Sequence, residues 1–409
     1  MIRNRFKEDG FTLVEVLVST LVFLIAVAIA ASLVQLGSFD LRTNRSLTEV
    51  QQHARTALKF IERDVTNSGH QYLQGDAAGG VNGARISRTA FLNVTGLTNL
   101  PANPNITTPN TPANTQELFC LVPVRRRDNL GNGDTVDNGS ADRLTIAYVD
   151  EFFSAGTTTT APDPPRNLTQ FRGTWNSGSQ FYTLLPDSSG ATTIVYSLAR
   201  VRPGDIMMLS FVGENPVLVM VTQVDAANRR IQFQSNDPLG FNQINSPMRN
   251  RNDLNAENQA LLYPLERIPV PTPTEPNIIT ATRVNVFTYL VDNTSRELLR
   301  RTYTTTTPSG FVNDPVCQNV ERLWFSYNRV VPSAGGTPPP PPTFSGEIEI
   351  DINNNTAELL TLQRIRRVNV NLIVRSTEID RRSKLPARYN LQGSFMPRNV
   401  AYSANQNIR

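Results

Sequence analysis

Gly10-Phe11-Thr12-Leu13-Val14-Glu15 opens an apolar run that continues to about Leu36 and follows a short basic stretch carrying Arg3, Arg5 and Lys7. At helical rise the run spans roughly 39 Å, enough to cross a hydrocarbon core of about 30 Å with some tilt. The apolar region of a secretory signal is typically only about 7 to 15 residues, so this run is too long for one. The basic residues ahead of it place the first ten residues in the cytoplasm and predict export of the rest. Glu15 interrupts the run near its beginning. An ionised carboxylate there costs on the order of 3 kcal/mol at the bilayer centre, and less near the interface. Two readings compensate it: interfacial water together with the positive end of the helix dipole, or a partner charge.

The helix does not end at the membrane. Leu47, Val50, Ala54, Ala57, Leu58, Ile61 and Val65 recur at spacings of three and four, while Arg55, Lys59, Glu62 and Arg63 fill the other faces. The spacing predicts one helix from Phe11 to Ser68, with Gly37 as a bend and Gly69 as a left-handed C-terminal cap. His53 and His70 read as exposed or interfacial helix residues rather than ligands.

Gly-Phe-Thr-Leu-Val-Glu over residues 10–15, with its basic leader, closely resembles the processing signature of type IV prepilins and of the related pseudopilins of type II secretion. The resemblance implies that a prepilin peptidase cuts between Gly10 and Phe11 and methylates the new amino terminus of Phe11. It also implies that Glu15 pairs with the terminal amine of a neighbouring subunit during assembly. Opposite charges carried together into an apolar fibre core relieve each other's desolvation. Ala57-Leu58-Lys59-Phe60-Ile61-Glu62-Arg63-Asp64-Val65, then Gly69-His70, is similar to the end of the long helix in PilW-like minor pilins and in GspJ-type minor pseudopilins. The implied role is a non-enzymatic subunit that initiates or caps a type IV pilus, with a minor pseudopilin of type II secretion, or a secreted adhesin or carbohydrate-binding domain, as the alternatives. Implied partners are other major and minor pilins, the prepilin peptidase, the inner membrane and the pilus assembly platform, with DNA or a surface ligand as further expectations. The implied location is the inner membrane as a single pass, head in the periplasm, and then the pilus. A competing reading takes Ala28-Ile29-Ala30 as an ordinary signal-peptidase site, which would release a chain beginning at Ala31.

Beyond the helix, Gly75 to Gln116, Ser154 to Ser179, Asn236 to Asn258 and Val331 to Gly346 are rich in Gly, Asn, Thr and Pro, and read as loops. Strand patterns fall at Leu118 to Val124, Arg143 to Val149, Asp205 to Val212, Val217 to Val224, Arg229 to Gln234, Arg283 to Val291, Arg322 to Arg329 and Ile365 to Arg375. In the last, Val368, Val370, Leu372 and Val374 alternate with polar residues, predicting a half-buried strand. The expected class is α+β: a long N-terminal helix packed on an antiparallel, β-rich head. The expected boundaries are a leader over 1–10, the helix over 11–69 with its membrane part over about 11–36, and the head over 70–409. Whether the head is one module, or two dividing near 200, stays open.

Composition removes several chemistries. With two histidines and two cysteines, a four-ligand Cys/His zinc site has no obvious spacing, and a Ser-His-Asp site is poorly supplied. The formal charge of +4 is too small by itself to argue nucleic-acid binding, although arginine dominates over the three lysines Lys7, Lys59 and Lys384. Arginines cluster at residues 125–127, 364–367 and 381–382, and read first as a solvated or subunit-facing surface. No cofactor is expected apart from calcium, for which Asp128, Asp134 and Asp137 present oxygen ligands on a Gly-rich turn, with Asp351 to Asn355 as a poorer second loop. In an exported chain Cys120 and Cys317 are expected to bond to each other, stabilising by roughly 4 to 5 kcal/mol, two separate buried thiols being the alternative.

Overall fold

The computed structural model describes residues 12–69, 74–75, 81–97, 115–124, 141–160, 164–176, 180–210, 216–235, 237–243, 278–292, 294–304, 307–331, 343–348, 350, 362, 364–379 and 384–397. The chain divides into two compact units, Met1–Gln52 with Arg375–Tyr389, and His53–Val374 with Asn390–Arg409.

Helix α1 (Leu13–Asn67) contributes to both units. Its start is fixed by a reciprocal cap: the Glu15 amide donates to the Thr12 hydroxyl at 3.3 Å, and the Thr12 amide donates to the Glu15 carboxylate at 3.0 Å. The helix runs through Gly37 without interruption. At the other end the Ser68 hydroxyl donates to the Val65 carbonyl at 2.6 Å, and Gly69 adopts φ 78°, the left-handed cap that its position predicts. Within the second unit the stripe is buried as spaced: Ala54, Ala57, Ile61 and Val65 are wholly inaccessible.

The strands follow in chain order. β1 (Gln74–Gly75) and β2 (Val81–Asn82) pair with each other. They are followed by β3 (Ala84–Ser87), helix α2 (Arg88–Thr95), β4 (Thr115–Leu118), β5 (Leu121–Val124) and β6 (Arg143–Val149). Next come β7 (Gly156–Thr160), β8 (Arg166–Leu168), β9 (Gln170–Asn176), β10 (Phe181–Leu184) and β11 (Thr192–Tyr196). β12 (Ile206–Ser210), β13 (Val217–Met220), β14 (Gln223–Asp225), β15 (Arg230–Gln232), β16 (Ile278–Val291), β17 (Leu298–Tyr303) and β18 (Phe311–Cys317) continue the chain. The last are β19 (Val320–Val331), β20 (Thr343–Phe344), β21 (Ile365–Ile379) and β22 (Pro386–Phe395).

A 13-stranded sheet is organised around β16. One edge of β16 pairs first with β9 and then with β6, and the other with β12 and then β17, so strands from either side of residue 200 share one ladder. The end of β16 is buried on both faces from Val286 to Val291, which explains its near-continuous apolar reading. Its neighbours enclose an aromatic core in which Phe153 meets Phe171 edge to face at 5.6 Å, with Trp175, Tyr182 and Phe233 close by. A separate four-stranded sheet has the order β20-β19-β21-β22, and a three-stranded one the order β11-β7-β8. In β21 the alternation holds: Val368, Val370, Leu372 and Val374 are buried, and Arg367, Asn369, Asn371 and Arg375 are partly or fully exposed.

Three expected loops hold regular structure, 331–346 contributing the two-residue strand β20. Residues 75–116 include β3 and α2, which Ser87 caps by accepting from the Ala90 amide at 3.0 Å and Gly96 ends at φ 73°. Composition obscured a short Ser-to-Gly bracket around Phe91 and Val94. Residues 154–179 hold β7, β8 and β9; threonine is β-branched, so the run Thr157 to Thr160 suits a strand better than a coil. The proline run 338–342 lies outside the described residues.

Candidate assembly site

The first site is the start of α1. From Leu13 to Leu36 no side chain is buried in the chain, and large apolar groups face outward on every side, Leu13 at 78 % and Val34 at 71 % exposure. Such a surface has no folded-state partner in the single chain and requires lipid or other helices. Glu15, the acidic residue of the first turn, is occupied by Thr12, whose hydroxyl and amide both donate to the same carboxylate oxygen at 3.0 Å. The capping role of Thr12-Leu13-Val14-Glu15 is legible as a Thr-x-x-Glu box, a signal the apolar reading passed over. Gly10 and Phe11 lie outside the described residues.

The second site lies in the last turns of α1, and sequence reasoning missed it. Asp64 is wholly buried. Its Oδ2 accepts from the Tyr289 hydroxyl at 2.7 Å and from Arg300 Nε at 2.8 Å, and its Oδ1 from the Tyr148 hydroxyl at 3.3 Å and Arg63 Nε at 3.1 Å. Tyr148 comes from β6, Tyr289 from β16 and Arg300 from β17, where Arg300 stands opposite Tyr289 in register. The Arg300 guanidinium also stacks 3.4 Å from the Phe287 ring centroid. Burial, and then the Asp64 charge, push both tyrosine hydroxyls well above the ordinary phenol range, so they remain donors. Burial alone would depress Arg300, but the carboxylate outweighs it and raises the guanidinium. A buried carboxylate with this many donors is a docking ion for the helix. Its signal was spacing: Asp64 lies three residues after Ile61 and seven after Ala57, on the buried stripe rather than the polar faces.

The expected disulfide is not formed. Cys120 and Cys317 are separate, buried free thiols. Cys120 immediately precedes β5, while Cys317 ends β18, and the ladder between them runs through β6, β16 and β17. Four interstrand steps of about 4.8 Å exceed the Cα separation of about 7 Å that a bridge tolerates. Burial raises the Cys120 thiol to about 12 and the Cys317 thiol to about 11. Asp128, Asp134 and Asp137, the second acidic loop and the arginine clusters at 125–127 and 381–382 lie outside the described residues. Among the described residues no group of three or more His, Cys, Asp or Glu side chains could hold a metal ion.

The prokaryotic N-terminal methylation motif matches residues 5–31. No curated protein and no solved structure matches the chain significantly. The motif and the exposed apolar helix support a type IV pilin-like or pseudopilin-like protein. They fit membrane anchoring before assembly, processing by a prepilin peptidase and assembly with other pilins, and suggest a structural subunit rather than an enzyme.

Proposed function

We propose that the chain is a PilW-like minor pilin that helps to initiate or cap a type IV pilus after cleavage between Gly10 and Phe11 and methylation of Phe11. The observation that carries this reading is one carboxylate, Glu15, in the first turn of a helix whose apolar side chains are exposed on all sides. A helix of this kind is soluble only among lipids or like helices, and its single acid then demands a cation at the same depth. The terminal amine released at Phe11 on an adjacent subunit supplies one. A head of this size also suits an end of the fibre better than a close-packed shaft.

The same motif serves type II secretion pseudopilins, so the deciding experiment scores two phenotypes. Deletion of the gene is expected to abolish piliation and twitching while secretion of exoproteins continues; the reverse pattern assigns the chain to secretion. Mass spectrometry of the mature protein is expected to find the first ten residues absent and Phe11 methylated. An intact leader, or a mature chain beginning at Ala31, overturns the reading.

A further inference from the structure

We infer that the outer face of the four-stranded sheet β20-β19-β21-β22 is a binding site for an uncharged oligosaccharide. A cavity of about 300 Å³ lies there, at the small end of the range of ligand sites. Its floor comes from paired strands: Trp324 of β19 stands opposite Asn371 of β21, and Ser326 stands opposite Asn369. Gln392 and Ser394 of β22 complete it, and Glu347 lines it from the segment after β20. The opposite face of β22 is turned to α1, since a methyl added at Gly393 would lie 3.0 Å from Leu58.

The chemistry of the lining selects the ligand. Among the lining residues only Glu347 carries a charge and none is a cation, and the nearby Arg322 guanidinium lies over the indole, so the cavity itself gives a phosphate no cationic anchor. Apart from Val370 and Gly393, the remaining lining residues carry amides, hydroxyls and one indole. Amides and hydroxyls offer donors and acceptors at fixed positions, matching the paired donor and acceptor character of sugar hydroxyls, and an aromatic face accepts the apolar C–H face of a sugar ring. Part of this array is already set. Ser394 donates to Asn369 Oδ1 at 2.7 Å, Asn369 Nδ2 donates to Asn328 at 3.1 Å, and Ser326 is bonded to Glu347. The Arg322 guanidinium, 5.0 Å from the indole centroid, braces Trp324. Asn371 is different: its Oδ1 is buried with no hydrogen-bond partner, an acceptor awaiting a donor. A peptide adding to the edge strand β22 would also need apolar pockets for its side chains, and within this lining only Val370 and Trp324 are apolar.

The test uses the full chain in an amine-oxide detergent, so that no sugar headgroup competes. Chitotetraose, cellotetraose and mannotetraose are titrated while tryptophan fluorescence is followed; Trp175 is in the core, 2 % exposed, so Trp324→Phe isolates the signal. At least one of these neutral probes is expected to give a saturable change. Asn371→Leu, which replaces the unpartnered acceptor by an apolar group of similar size, is expected to weaken binding by about ten-fold or more while leaving the melting temperature unchanged or higher. Gln392→Trp, at an exposed position, is expected to fill the cavity and abolish binding without loss of fold. The proposal is overturned if no neutral probe binds, if either variant binds like the wild type, or if a sulfated tetrasaccharide or a tetra-alanine peptide binds more tightly. This inference does not depend on the pilus reading, and loss of piliation has no bearing on it.

Discussion

The Tyr289 hydroxyl donates to the Asp64 carboxylate at 2.7 Å, joining β16 to α1 across 225 residues of chain. Removing the carboxylate leaves Arg300, whose side chain is only 16 % exposed, without its counter-ion. Asp64→Ala is therefore expected to destabilise the second unit by about 3 to 5 kcal/mol, and Tyr289→Phe by about 1 kcal/mol. Urea denaturation of the detergent-solubilised chain measures both. An Asp64→Ala midpoint indistinguishable from wild type would show that packing of the apolar stripe holds the helix without the ion.

Gly69 closes α1 at φ 78° while its amide donates to the Ala147 carbonyl at 3.3 Å. Alanine in that left-handed conformation costs about 1 to 2 kcal/mol. Gly69→Ala should lower the thermal midpoint accordingly, whereas Gly37→Ala, inside the helix with open space around it, should raise it slightly.

Cys120 and Cys317 predict an alkaline sensitivity. Burial raises them from 9.0 to about 12 and about 11. Above about pH 9 the unfolded chain gives up thiol protons that the folded chain still holds, so the stabilisation is complete below that pH and is lost as pH rises toward 11 to 12. The denaturation midpoint should fall across that interval, and fall less in Cys120→Ala. Titration of the denatured, unreduced chain should find two reactive thiols; finding none would restore the disulfide.

Glu15 should separate processing from incorporation. Glu15→Ala is expected to lose its leader normally and to be absent from purified filaments, read by mass spectrometry of the membrane and fibre fractions. Unchanged incorporation would mean that the Thr12 cap is the whole of its role.

The long helix, its Gly69 cap and the strands around 143–149 and 365–375 were legible from local spacing and apolar runs, whereas the expected strand 217–224 divides into β13 and β14, which pair with different neighbours. The Asp64 site was not, because a lone acid on a helix becomes meaningful only when three strands bring Tyr148, Tyr289 and Arg300 to it. Cysteine pairing failed for a related reason: the number of cysteines is a property of the chain, but their separation is a property of the ladder between β5 and β18. Composition hid α2 and β7 to β9, where Gly and Thr serve as a cap and as strand formers rather than as coil.

Because one carboxylate is gripped from β6, β16 and β17 together, a tug transmitted along the helix reaches three hydrogen-bonded strands at once. Any such pull is shared among the three strands rather than resting on a single contact.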